Sequence, residues 1–249
     1  MGTVFSIDVR DDVDARAIDS VVRWLHWVDS TFSTYQPDSE ISRLRRGELT
    51  VDECAPEVRD VLALCAEVQD TTGGYFSAYA GGDLDPSGLV KGWAIEQASE
   101  LLRAAGSASH CVNGGGDVQC AGEFAPGQPW RIGVAHPLEP DKLAAVVVGN
   151  DLAVATSGVA ERGRHLVDPH TGRPPDGLAC VTVVGPRLTF ADAYATAAFA
   201  MGAAAQSWIE QLPDHWGFGI DADGAAWRTG GFGTVDPAQS AASGRKVDM

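Results

Sequence analysis

The stretch AAVVVGNDLAVATSG, residues 144–158, decides how the fold is read. Two apolar runs flank Gly149-Asn150-Asp151, a set of residues suited to a tight reversal, so the segment predicts two strands joined as a hairpin. Runs of the same kind lie on either side: CVNGGGDVQCAG at 111–122, WRIGVAHP at 130–137 and LACVTVVG at 178–185. Each is short and bounded by Gly, Pro, Asn or Asp. Strands that follow one another without intervening helices pair antiparallel, and the alternation that builds a doubly wound parallel sheet is missing.

Helical periodicity brackets this region. Phe5, Ile7 and Val9 alternate with Ser6, Asp8 and Arg10 as in a half-buried strand. An amphipathic segment from Asp14 to Phe32 then sets Val21, Leu25 and Val28 on one face. Further helices are expected from Pro56 to Asp70, ahead of Gly73-Gly74, and from Leu89 to Ala105, closed by Gly106. Two more run over 189–201 and from Ala203 to Leu212, the second stopped by Pro213. A last hairpin turns at Asp221 to Gly224. The expectation is an α+β fold of mostly antiparallel sheets with packed helices, one domain over residues 1–234. The aperiodic stretch 235–249 reads as a mobile tail.

With 249 residues, 45% of them apolar and 21% charged, the chain has the composition of a folded globular protein. Its net charge of −16 argues against nucleic acid as a partner, which needs a basic footprint. Five dispersed cysteines without a CxxC pair suit small buried side chains better than a disulfide framework or a zinc site. No run is long enough to span a membrane and no signal-peptide pattern opens the chain, so a cytoplasmic location is expected.

Chemistry first shows in TFADAYATAAFAMG, residues 189–202. This helix of small side chains carries Asp192 and, four residues on and therefore on the same face, Thr196. Two readings stand. Thr189-x-x-Asp192 fits a capping pattern, with Thr196 bonded back to its own helix. A stacked carboxylate and hydroxyl also fit a hard cation such as magnesium, which takes few protein oxygens and completes its shell with phosphate and water. DPSGLVKG, residues 85–92, sets Lys91 just inside a helix where it could face an anion. NGGGD, residues 113–117, is either a tight turn or a backbone cradle for phosphate. Neither is a Walker loop or a dinucleotide fingerprint. Ser157 lacks the GxSxG elbow of a serine hydrolase. His165 is a structural or a catalytic histidine.

Taken in order, MGTVFSI, STYQPDSEISRL, DPSGLVKGWAIE, VNGGGDV, ATSGVAERGRHLVDPHTGRP and ADAYATAAFAMG resemble the FAD:protein FMN transferases, the ApbE family. The resemblance covers about residues 1–205. It implies an α+β, tunnelling-fold-like domain in which Asp192 and Thr196 ligate Mg2+ together with the Gly88 carbonyl. Met1, Tyr35, Tyr75, Phe76, Ser77, Asp85 and Lys91 match positions that contact FAD, and His165 and Leu166 lie in the matching wall. The implied reaction moves FMN from FAD, the substrate, to a threonine or serine hydroxyl of an acceptor protein and releases AMP. His165 is the candidate general base, counted with Asp192 as catalytic. Ser77 stands where the family commonly has an aspartate, and Pro86 removes an N–H from the loop before Lys91. Two alternatives remain: a magnesium-dependent FAD pyrophosphatase and a non-catalytic FAD-binding protein.

Overall fold

The structure, a computed structural model, describes residues 2–159 and 167–233. Seven strands form one antiparallel sheet: β1 (Phe5–Val9), β2 (His110–Gly114), β3 (Asp117–Ala121), β6 (Ala153–Gly158), β7 (Leu178–Gly185), β8 (Trp216–Asp221) and β9 (Ala226–Arg228), in that order. The remaining two, β4 (Trp130–Ala135) and β5 (Leu143–Gly149), pair only with each other. The main helices are α1 (Ala15–Phe32), α2 (Glu40–Arg45), α3 (Pro56–Thr71), α4 (Ser87–Ala104), α5 (Leu188–Met201) and α6 (Ala205–Ile209).

Two cores explain this layering. On one face of the sheet Val112, Ala153, Ala155, Val181 and Val183 pack with Val21 and Leu25 of α1, Leu89 and Ile95 of α4, and Leu188 and Ala195 of α5. On the other face Val118, Cys120, Val154, Cys180 and Ile220 are covered by Trp130, Val134, Ala145 and Val147 of the β4–β5 pair. Every residue of β7 is accordingly buried. Its apolar run, interrupted by Thr182, whose hydroxyl hydrogen-bonds that of Thr156, reflects cover on both faces, where a half-exposed strand would alternate.

The hairpin expected around Gly149-Asn150-Asp151 does not form. The chain does reverse there, with Asp151 in the left-handed region at φ 46. But β5 pairs with β4, and both edges of β6 are taken by β3 and β7. The reason lies in the second core: pairing β5 with β6 would leave the outer face of the large sheet bare. Asp151 pins the corner, accepting hydrogen bonds from Gly122 N (2.9 Å) and from Arg103 of α4 (2.8 Å).

Other expectations hold with small shifts. NGGGD is a hairpin turn: Gly114 pairs with Asp117, and Gly115 and Gly116 take φ of 66 and 97, the two positive values such a turn requires. The hairpin at Asp221 to Gly224 joins β8 and β9. α4 starts at Ser87, two residues earlier than its periodicity suggested, which brings Gly88 into the first turn. The helix expected from Ala203 to Leu212 is shorter: Gly202, at φ 58, breaks the path, and a 3-10 turn precedes α6. α2 was not read from the sequence; it is capped by Ser39, whose hydroxyl accepts from Ser42 N at 3.0 Å. None of the five cysteines forms a disulfide; four are buried, and the half-buried Cys111 lies directly opposite Cys120 across β2 and β3. Among the described residues no helix is long and apolar enough to cross a membrane. The proposed tail, 235–249, lies outside the described residues.

Candidate functional site

The site grows from the contact between α4 and α5, and glycine makes that contact possible. A Cβ on Gly92 would stand 2.5 Å from the Leu188 carbonyl oxygen and 2.7 Å from the Asp192 Cβ. One turn earlier, a Cβ on Gly88 would lie 3.2 Å from the Phe76 ring and 3.8 Å from the Thr196 hydroxyl. Four-residue spacing puts Gly88 and Gly92 on one face of α4, and Leu188, Asp192 and Thr196 on the facing stripe of α5. The two backbones therefore approach until the Asp192 carboxylate reaches the main chain of α4. Its Oδ2 accepts from Gly92 N at 2.9 Å. In a regular helix that N–H serves the carbonyl of residue 88, one turn back. Sharing its single hydrogen with Asp192 leaves the Gly88 carbonyl with spare acceptor capacity.

Side chains from two other elements fix the start of α5. Gln119 of β3 accepts from Leu188 N at 2.9 Å and donates to the Pro186 carbonyl at 3.3 Å. Glu96 of α4, buried at 7% exposure, accepts from Thr189 N (3.0 Å), Thr189 Oγ1 (2.6 Å) and Arg187 Nε (2.7 Å). These bonds satisfy amides that a helix N-terminus leaves open, and the carboxylate suits the positive end of the dipole. The capping reading of Thr189 and Asp192 is thereby overturned. Thr189 donates to Glu96, no acid lies in the first turn, and Asp192 serves the neighbouring helix. Nor is Thr196 bonded back to its helix: among the described residues its hydroxyl has no hydrogen-bond partner.

Lys91 completes the cluster. Its ammonium touches Asp117 Oδ2 and lies 3.7 Å from Asp192 Oδ1. Asp117 opens β3 and is fully buried; its Oδ1 accepts from Thr156 N at 3.0 Å. Burial pushes the Asp192 carboxyl up to about 7, against the pull of Lys91 and with added repulsion from Asp117. Two buried carboxylates thus share one ammonium. Such a group titrating near neutrality is characteristic of functional sites. Among the described residues no three His, Cys, Asp or Glu side chains converge as in an all-protein metal cage. The donors present, one carboxylate oxygen, an unpartnered hydroxyl and a carbonyl, are all oxygens and fit a hard cation that draws its other ligands from substrate and water.

The other expected residues surround this centre unevenly. Asp85 is exposed at the entry to α4, its Oδ1 accepting from Ser87 N at 3.0 Å. Pro86 precedes the helix and accepts from Leu89 and Val90 amides, so its missing N–H removes no helical bond. Tyr75 is half-buried, its ring edge-on to His170 at 4.5 Å. Phe76 turns into the core, and Ser77 accepts from Tyr79 N at 3.1 Å. Tyr35 is 95% exposed. Met1, His165 and Leu166 lie outside the described residues. Ser157 is buried within β6.

Three residues of the site were missed in the sequence: Asp117, Gln119 and Glu96. A signal existed for two of them. Glu96 stands one turn beyond Gly92, directly after the apolar Trp93-Ala94-Ile95, and Asp117 follows a glycine turn directly into a strand. A hollow of about 480 Å3 between the Gly149–Leu152 corner, Trp216 and Phe232 contains none of these residues.

Comparison with known proteins identifies a family and a fold. The ApbE family model matches residues 1–82 and 77–217. Two curated relatives are named FAD:protein FMN transferase. One, from Vibrio cholerae, is 31% identical over 129 residues, 48% of this chain and 39% of its own length. The other, from Rhodobacter capsulatus, is 29% identical over 185 residues, 71% of this chain and 32% of its own. The matched part thus spans well under half the length of these relatives. The solved flavin transferase ApbE from Vibrio cholerae superposes with a TM-score of 0.81 at 22% identity, covering 93% of this chain and 95% of that one. The ApbE protein from Thermotoga maritima gives 0.79 at 22% identity, with the same coverage. The family match runs from β1 through the α4 and α5 contact to the first residues of β8, and the chain belongs to the ApbE family.

Proposed function

We propose that this protein transfers the FMN half of FAD to a serine or threonine hydroxyl of an acceptor protein, releasing AMP, with magnesium held at Asp192. The observation that carries the reading is the meeting of the Asp192 carboxylate, the Thr196 hydroxyl and Gly88 across the α4–α5 contact, with the Lys91 ammonium beside them. Relatives named FAD:protein FMN transferase support it. The acceptor hydroxyl oxygen bonds to the FMN-side phosphorus, the bond from that phosphorus to the bridging oxygen breaks, and AMP leaves with that oxygen. His165 takes the hydroxyl proton, since histidine has the ordinary pKa nearest neutrality. Bound magnesium supplies charge neutralisation on the pyrophosphate, the main demand of phosphoryl transfer. Asp192, Thr196 and the Gly88 carbonyl would hold it, and Lys91 adds positive charge to the same region. Tyr35, Tyr75, Ser77 and Asp85 bind and orient the nucleotide.

Incubation with FAD, Mg2+ and a serine- or threonine-bearing acceptor peptide, read by mass spectrometry, tests this. Wild-type protein adds FMN to the peptide, and Asp192→Ala abolishes the adduct while circular dichroism still reports a folded chain. Release of free FMN without any adduct would make the enzyme a pyrophosphatase. Full turnover by a folded Asp192→Ala variant would remove Asp192 from the chemistry.

A further inference from the structure

The cluster holds one carboxylate more than cation binding needs, and its geometry gives that carboxylate a task. Asp192 Oδ2 is committed to Gly92 N, so Oδ1 is the oxygen available to a cation. Lys91 is the competitor for that oxygen: its ammonium already pairs with it at 3.7 Å, beyond hydrogen-bond distance. Asp117 draws the ammonium the other way and touches it. Asp117 cannot follow Lys91 if it moves. Its backbone begins β3 directly after the Gly115-Gly116 turn, its Oδ1 is tied to Thr156 N at 3.0 Å, and it is fully buried. Coulomb attraction falls with distance and strengthens where water is excluded, so the nearer, immobile carboxylate dominates.

We propose that Asp117 is a positioning residue that holds the Lys91 ammonium off Asp192 Oδ1 and thereby keeps that oxygen open to a divalent cation. This rests on the reading of Asp192 as a cation ligand. In Asp117→Asn the side chain keeps its size and its acceptor for Thr156 N but loses its charge. Lys91 then closes onto Asp192, and the cation must displace it.

The test is a double-mutant cycle in cation affinity, with Mn2+ as the probe read by electron paramagnetic resonance and Mg2+ as competitor. Asp117→Asn is expected to weaken Mn2+ binding about tenfold or more when Lys91 is present, and by less than about twofold in a Lys91→Gln background. Equal weakening in both backgrounds overturns the proposal, because Asp117 then acts only through its charge. Unchanged affinity in folded Asp117→Asn overturns it as well. A crystal structure of Asp117→Asn supplies a readout that needs no Lys91 variant. Lys91 Nζ within hydrogen-bond distance of Asp192 Oδ1 supports the proposal, and a lysine left in its present place refutes it. Equal Mn2+ affinity in wild type and Asp192→Ala would instead bring down the cation site itself, a result distinct from either failure of Asp117.

Discussion

Tyr35 shows how a single residue can be read against its own burial. An aromatic ring 95% exposed contributes almost nothing to the core and leaves its face available to a ligand. In the proposed function it stacks on the nucleotide, and stacked aromatic pairs add about 0.5–1.5 kcal/mol beyond area burial. Tyr35→Ala is expected to raise the FAD dissociation constant roughly tenfold while leaving the melting temperature within a degree or so. An unchanged dissociation constant by fluorescence titration would detach Tyr35 from the site. Asp192 carries the opposite signature. It is 3% exposed and bonded to a backbone amide of another helix, so any change there touches stability and chemistry together. Asp192→Asn keeps the shape and is the better variant for separating the two.

Between elements, the packing of α4 on α5 governs everything the site can do. Gly92→Ala drives a Cβ to 2.5 Å from a backbone oxygen, which no side-chain rotation relieves. Overpacking of this kind typically destabilises by about 1–3 kcal/mol. Gly92→Ala is expected to show that loss in chemical denaturation together with weakened cation binding, whereas Gly81→Ala, with nothing within 4 Å, changes neither. Glu96 is the second hold on this contact, joining α4 to Thr189 and Arg187 at the start of α5. Hydrogen bonds to charged groups contribute about 1.5–3 kcal/mol, so Glu96→Gln should lower unfolding free energy by that order. Tertiary packing and not helix propensity sets the register of α5, and the positions of Asp192 and Thr196 depend on that register.

Across the whole molecule, two buried groups shape stability against pH in opposite senses. His110, buried between Ser99 and Ser107, is held down to about 4 chiefly by burial. Its neutral form is favoured by the fold, so its contribution is present above 6.5 and is lost as pH falls toward 4. Asp192 is raised to about 7, again chiefly by burial. Its contribution is present below 3.8 and is lost as pH rises through 7. Without divalent cations, Asp192→Asn is therefore expected to gain stability relative to wild type as pH goes from 4 to 8, measured by thermal melting at each pH. Saturating Mg2+ should favour the ionised carboxylate and reverse the trend for wild type only. At a hundredfold excess over the dissociation constant, linkage gives about 2.7 kcal/mol. A pH-independent difference between the two proteins would place the Asp192 pKa in the ordinary carboxylate range.

Several features were written locally. Proline and glycine positions bounded α3, alternation marked β1, and the Gly-Gly pair after Asn113 and Gly114 made a turn because only glycine takes positive φ twice in succession without strain. The spacing of Asp192 and Thr196 set carboxylate and hydroxyl on one face before any partner was known. Other outcomes were decided at a distance. Gly149 to Asp151 reversed the chain as their residue types require, but turn chemistry says nothing of which neighbour each strand joins. The demand to cover the outer face of the large sheet sent β5 to β4. Thr189 and Asp192 matched a local cap, yet α4 offered Glu96 to the one and the Gly92 amide to the other, and buried partners outcompeted the local bonds. Asp117 took its meaning only from Lys91, twenty-six residues away, because strand and helix meet there in space alone.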